Sequence, residues 1–190
     1  MIVMQGNVVF LNGVPRSGKT SVAQKILEIS DEVWVHLGVD QITTAIHEKF
    51  TPTMGLRPGK EFPEKEKLVQ QLYLALFDSI RAFSNQRLHV VVDVGFHQHY
   101  QNGWEPYEVM KERLNGLPVY HFSIYCPIDE VIIRREQTWG TRIDSTNIPT
   151  PILQWHQEVY KNQDYISRFD TSKMSAEEIG QEILRYVGGN

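Results

Sequence analysis

Lys19 and Thr20 close the run Gly13-Val14-Pro15-Arg16-Ser17-Gly18-Lys19-Thr20, a spacing suited to holding a polyphosphate. Such a ligand needs many weak donors at once, and a tight loop with glycine at both ends turns successive backbone N–H groups inward. Gly13 and Gly18 permit the wrapping. Lys19 is then expected to reach the β- and γ-phosphates of ATP, and the Thr20 hydroxyl to sit on Mg2+. A helix that begins near Gly18 aims its positive end at the same anion. The expected nucleotide-binding set is therefore Gly13, Arg16, Ser17, Gly18, Lys19, Thr20 and Ser21, with Arg16 either touching phosphate or facing solvent. In 190 residues the bare pattern arises by accident on the order of once in a hundred. A buried strand before the loop and a helix after it are the context that confirms a P-loop.

Two carboxylates complete a candidate reaction centre. Asp40 and Asp93 each follow an apolar run, Val33 to Leu37 and Leu88 to Val92, so each is expected at the sheet edge where the P-loop opens. Asp93 reads as the metal-shell carboxylate and Asp40 as the base that accepts a proton from an attacking hydroxyl. The bland alternative is that each caps a turn or helix. Phosphoryl transfer spreads charge over equatorial oxygens, so arginines that arrive with closure are wanted. Arg134, Arg135 and Arg142 are the candidates, against the reading of an Arg-Arg-Glu run as a solvated helix face. His97 and His99 could share a metal in an extended segment, but no Cys or acidic partner stands at ligand spacing. With Phe96, Tyr100 and Trp104 they line an acceptor pocket or decorate a loop; Phe50, Met54 and Phe62 are candidates for the same apolar wall.

The elements that must position these groups follow from periodicity. Val22, Ile26 and Ile29 mark a helix from Gly18 to Ile29, and Gln41 to Phe50 reads as a short helix. Thr51 to Pro63 is a proline- and glycine-bearing loop. Leu68, Leu72, Leu76, Ile80 and Phe83 define a long amphipathic helix over Glu64 to Asn85. Further helices are expected over Glu105 to Leu114, from Pro127, and over Ile152 to Asn162, with Gly140 to Pro151 irregular. Val119 to Cys126 and Tyr165 to Asp170 read as strands. Ser175 and Glu178 form a capping box for a last helix, with Ile179, Ile183, Leu184 and Val187 inward. Alternating strands and helices predict an α/β fold: a five-stranded parallel sheet covered on both faces, with ligands at the carboxyl ends of its strands.

Composition sets the outer bounds. A chain of this length is one domain, 1–190, with a small lid at about 134–150. A net charge of −4 gives no basic excess to hold nucleic acid. The single cysteine, Cys126, excludes an internal disulfide and lies in an apolar run that suits an inert thiol. No leader or membrane-length apolar run is present, so a cytoplasmic protein is expected. The oligomeric state is left open, a homo-oligomer included.

Taken together, the P-loop, Gly38-Val39-Asp40, Val91-Val92-Asp93, the stretch from Arg135-Glu136 to Arg142, and Phe169-Asp170-Thr171-Ser172 resemble the chloramphenicol phosphotransferase-like family of P-loop kinases over nearly the whole length. The resemblance implies a P-loop NTPase fold of the nucleoside- and shikimate-kinase kind, ATP with Mg2+, and transfer of the γ-phosphoryl to an alcohol on a small molecule. It implies that Asp40 is the base and that Arg135 and Arg142 belong to the lid. The sequence departs from the pattern at Trp139 and Thr141, where the family has arginine and aspartate, and at Val94, where it has a second aspartate. Two other readings stand beside it: a P-loop kinase of a nucleotide, sugar acid or activated sugar, and a nucleotide-binding regulatory protein without turnover.

Overall fold

The computed structural model describes residues 5–51, 63–98, 100, 103–140, 142–144 and 147–188. Five strands, β1 (Val8–Asn12), β2 (Trp34–Gly38), β3 (His89–Val94), β4 (Val119–Tyr125) and β5 (Ser167–Asp170), form one sheet in the order β2-β3-β1-β4-β5. Every pairing is parallel. β1 sits at the centre and is buried throughout, as a strand covered on both faces must be. The strand order reverses at β1, so the loop after it opens into the crevice where such sheets bind ligands.

Period two along the strands builds two apolar layers. Val8, Phe10, Val90 and Val92 face α3 (Glu66–Asn85) and α4 (Pro106–Arg113), meeting Val69, Tyr73, Phe77, Ile80 and Met110. Val9, Leu11, Val91, Phe122 and Ile124 face α1 (Lys19–Ile29) and α7 (Ala176–Gly188), meeting Val22, Ile26, Ile179 and Ile183. By this alternation Asp93, two residues beyond Val91, lies on the α1 side, whereas Val94 lies on the α3 side. That parity points the carboxylate at the first turn of α1.

The expected elements are present, with shifted ends. α2 (Val39–Thr44) starts directly after β2 and stops early, and Glu48–Phe50 forms a separate 3-10 turn capped by His47. The Thr43 and Thr44 hydroxyls both donate to the Asp40 carbonyl, and β-branched residues are poor helix formers. α5 (Ile128–Trp139) ends at Gly140, whose φ of 66° provides the left-handed stop. α6 (Thr150–Glu158) begins two residues before the expected start, taking Pro151 into its first turn. The capping box of α7 forms as expected: Glu178 accepts from the Ser175 backbone N–H at 2.7 Å, and the Glu178 N–H donates to Ser175 Oγ at 3.2 Å. No described helix is long and apolar enough to cross a membrane. Cys126 is fully buried, and burial raises its thiol pKa against the opposing influence of Thr171 and Arg134. It has no nucleophilic setting.

Candidate active site

The P-loop begins with a tight turn. Ser17 N–H donates to the Val14 carbonyl at 3.1 Å, with Pro15 and Arg16 at the turn's centre and Arg16 at φ 70°. A positive φ after a proline is the signature of a type II turn, normally given to glycine. Holding an arginine there stores strain of about 1 kcal/mol. Gly18, at φ 97°, then leads into α1. Behind the loop, Tyr160 Oη lies 3.4 Å from Val14 N and donates to the Ile124 carbonyl at 3.2 Å, tying the loop to β4.

A cleft of about 570 Å³ opens at the carboxyl edge of the sheet. Gly13, Arg16, Gly18, Lys19, Thr20 and Ser21 line it, and so do Asp40 and Asp93. Ser17, expected with them, is buried instead; its backbone carbonyl accepts from Thr171 Oγ1 at 2.8 Å. Lys19 Nζ donates to the Val14 carbonyl at 2.8 Å, arching across the loop. Thr20 Oγ1 donates to Asp93 Oδ2 at 2.7 Å. Burial pushes the Asp93 carboxyl up, but the His36 and Thr20 contacts and the Lys19 charge outweigh it, so it is held below its ordinary value. A hydroxyl and an ionised carboxylate are hard oxygen donors, so the pair fits a magnesium ion.

The arginines divide differently from the sequence expectation. Arg134 lines the cleft, donating from Nε to Glu130 at 2.9 Å and from its two terminal nitrogens to Thr171 Oγ1 and the Thr171 carbonyl at 3.0 and 2.9 Å. Arg135, one residue on, is buried behind the loop beside Val14, Pro15, Val131 and Trp155. Burial and the nearby Arg16 charge both work against its cation. Arg142 is exposed, 3.9 Å from Glu136. Neither Arg135 nor Arg142 lines the cleft in this conformation. The helix phase that separates neighbours by about 100° accounts for the division between Arg134 and Arg135.

The aromatic segment after β3 is mostly core. Phe96 is buried against Phe10, Tyr73 and Phe77, and Trp104 packs on Tyr73 and Tyr100. His97 does reach the cleft, its Nε2 close to Gly95, and Val39 and Tyr73 line the same space. Phe50 is exposed, and Met54, Phe62, His99 and Thr141 lie outside the described residues. Among the described residues no group of three or more metal-ligating side chains forms, but His99, the other half of the expected pair, lies outside them. Periodicity could have pointed to Tyr73, at the sheet-facing stripe of α3. Nothing in the sequence marked Thr171 as the partner of Arg134.

A model of the chloramphenicol phosphotransferase-like proteins matches residues 6–188. The chain belongs to that family. No curated protein sequence matches it. Among solved structures, the Deinococcus radiodurans tunicamycin resistance protein is similar at a TM-score of 0.67 and 18% identity, over 97% of this chain and 96% of that one. The Mycobacterium tuberculosis APS kinase, solved with AMPPNP and APS, is similar at 0.67 and 15%, over 97% and 98%. Shikimate kinase from Acinetobacter baumannii, solved with shikimate, is similar at 0.58 and 15%, over 98% and 96%. At these identities the likeness is one of fold, that of the P-loop kinases. Family and fold together support a P-loop phosphotransferase.

Proposed function

We propose that this chloramphenicol phosphotransferase-like chain transfers the γ-phosphoryl group of ATP to an alcohol on a small molecule. The observation that carries the reading is the convergence of Lys19, Thr20, Asp93 and Asp40 on one cleft, a phosphate grip and a free-standing carboxylate facing the same space.

The loop amides and the start of α1 hold the polyphosphate, and Lys19 leaves the Val14 carbonyl for phosphate oxygen. Thr20 and Asp93 would hold Mg2+, which would supply charge neutralisation for the polyphosphate. Asp40, at the first turn of α2, lines the cleft together with Val39, Tyr73 and His97, which we assign to the acceptor side. It takes the proton of the acceptor hydroxyl as that oxygen bonds to γ-phosphorus and the bond to the β-phosphate oxygen breaks, releasing ADP. Tyr73, a neutral phenol whose pKa burial raises further, lines the same cleft and offers a hydrogen bond to the acceptor. Arg134 supports the nucleotide from α5, Arg135 steadies the P-loop from behind, and Arg142 acts only if the segment after α5 closes over the nucleotide.

The test is ADP release from Mg-ATP across alcohols that include chloramphenicol and aminoglycosides. Stimulation by one compound, lost in both Lys19→Ala and Asp40→Ala, is expected. Tight ATP binding with no stimulation by any alcohol, and no effect of Asp40→Ala, would leave a nucleotide-binding regulator in its place.

A further inference from the structure

β2 carries a polar residue that the reaction as described does not use. Trp34, His36 and Gly38 alternate onto one face of β2, and Trp34 belongs to the layer beneath α1. In the β2/β3 register His36 stands opposite Val91 and Gly38 opposite Asp93, so His36 and Asp93 are diagonal neighbours on that face. The glycine makes the diagonal usable: a Cβ at Gly38 would lie 1.7 Å from Asp93 Oδ1. Across that gap His36 Nε2 approaches Asp93 Oδ1 to 3.1 Å, with both side chains nearly buried. On the other side of the ring, Gln41 Nε2 lies 3.3 Å from His36 Nδ1. An amide donor at Nδ1 leaves the ring proton on Nε2, the nitrogen 3.1 Å from Asp93 Oδ1, close enough for a charge–dipole contact though too bent for a regular hydrogen bond.

We propose that His36 is a positioning residue for the metal shell, oriented by Gln41 and holding Asp93 so that its second oxygen stays on Thr20. The inference rests on the reading of Thr20 and Asp93 as the pair that holds Mg2+. The terminal torsion of an aspartate is broad and two-fold, so one hydrogen bond to Thr20 leaves the carboxylate free to pivot. The imidazole N–H beside the other oxygen restrains that pivot by electrostatic attraction and partly offsets the cost of burying the anion. Outer-shell partners of this kind typically change metal affinity 10–100-fold. The row Gln41–His36–Asp93–Thr20 also joins α2, which carries Asp40, to the first turn of α1.

The experiment titrates Mn2+ into the full chain with ADP, reading bound metal by electron paramagnetic resonance, and measures ADP affinity separately in EDTA. His36→Leu is expected to weaken Mn2+ binding by roughly tenfold or more with ADP affinity in EDTA unchanged. His36→Gln, whose amide can donate at the Nε2 position, is expected to recover most of the loss. Gln41→Leu, an exposed substitution, moves Mn2+ affinity in the same direction by a smaller factor. Unchanged Mn2+ affinity in His36→Leu, with only a lowered Tm, overturns the proposal. If His36→Leu does not fold, unchanged Mn2+ affinity in Gln41→Leu overturns it. A wild-type chain that binds ADP without recruiting Mn2+ removes the metal reading itself, an outcome distinct from either variant result.

Discussion

Arg134 and Arg135 are adjacent in sequence and serve different surroundings. Arg134 lines the cleft, held by Thr171, while Arg135 is packed behind the P-loop. Arg134→Ala is therefore expected to lower kcat/KM for ATP by roughly tenfold or more, the scale of a lost charged hydrogen bond. Arg135→Ala is expected to show first as a lower Tm. Parallel ATP titrations and melting curves decide, and a larger loss of ATP affinity in Arg135→Ala would contradict the assignment. That Lys19, Thr20, Asp40 and Asp93 gather at one cleft was legible, because strand ends and motif spacing place all four at the same sheet edge. Which arginine of a neighbouring pair turns inward depends on where a helix begins and how its axis lies, and spacing does not encode that. His36 was half legible: alternation with Trp34 places it on the Asp93 face, but only the register brings the two together.

Elements set the tolerances within which these residues act. β2 must end in glycine opposite Asp93, because a methyl group at Gly38 would overlap the carboxylate. Gly38→Ala is expected to fold, since the atom displaced is the end of a side chain, yet to lose metal-dependent turnover by roughly tenfold or more. Turnover against Mg2+ concentration measures it, and a wild-type curve would contradict the geometry. At the other end of the chain, Ser175→Ala removes the two bonds of the Ser175 hydroxyl in the α7 capping box and leaves the backbone N–H bond to Glu178 in place. About 1 kcal/mol of stability should go with it, read by urea denaturation. That box could be read from the sequence because its signature is local. The early stop of α2 could not, since it depends on two threonine hydroxyls competing for one carbonyl.

At the scale of the whole molecule, the parallel sheet followed from the alternation of strands and helices. The order β2-β3-β1-β4-β5 did not, because crossovers of similar length permit several orders. One buried group couples the assembled fold to pH. His121 on β4 is enclosed by Phe10, Phe96, Tyr107 and Tyr165, and its Nδ1 lies 3.2 Å from the Asp164 carbonyl. Burial pushes its pKa down from 6.5 to about 4, with the Asp164 carbonyl opposing. The unfolded chain thus binds the proton first, so stability contributed by neutral His121 is present above pH 6.5 and is lost as pH falls toward 4. Between pH 7 and pH 5 that loss amounts to about 2 kcal/mol. Urea unfolding at the two pH values should show the wild type losing about that much more than His121→Phe. Equal losses in both chains would place the titration elsewhere.

On the proposed reading, a phosphate grip and a carboxylate base share one cleft and move a phosphoryl group from ATP to the acceptor. The most direct measurement compares the wild type with Asp40→Asn, using the acceptor found in the alcohol panel and following transfer from labelled ATP. Mg-ATP should bind Asp40→Asn as it binds the wild type, while transfer falls by roughly 10²–10⁴-fold. Transfer at the wild-type rate in Asp40→Asn would contradict the account, because the proton would then be leaving by a route that does not pass through Asp40.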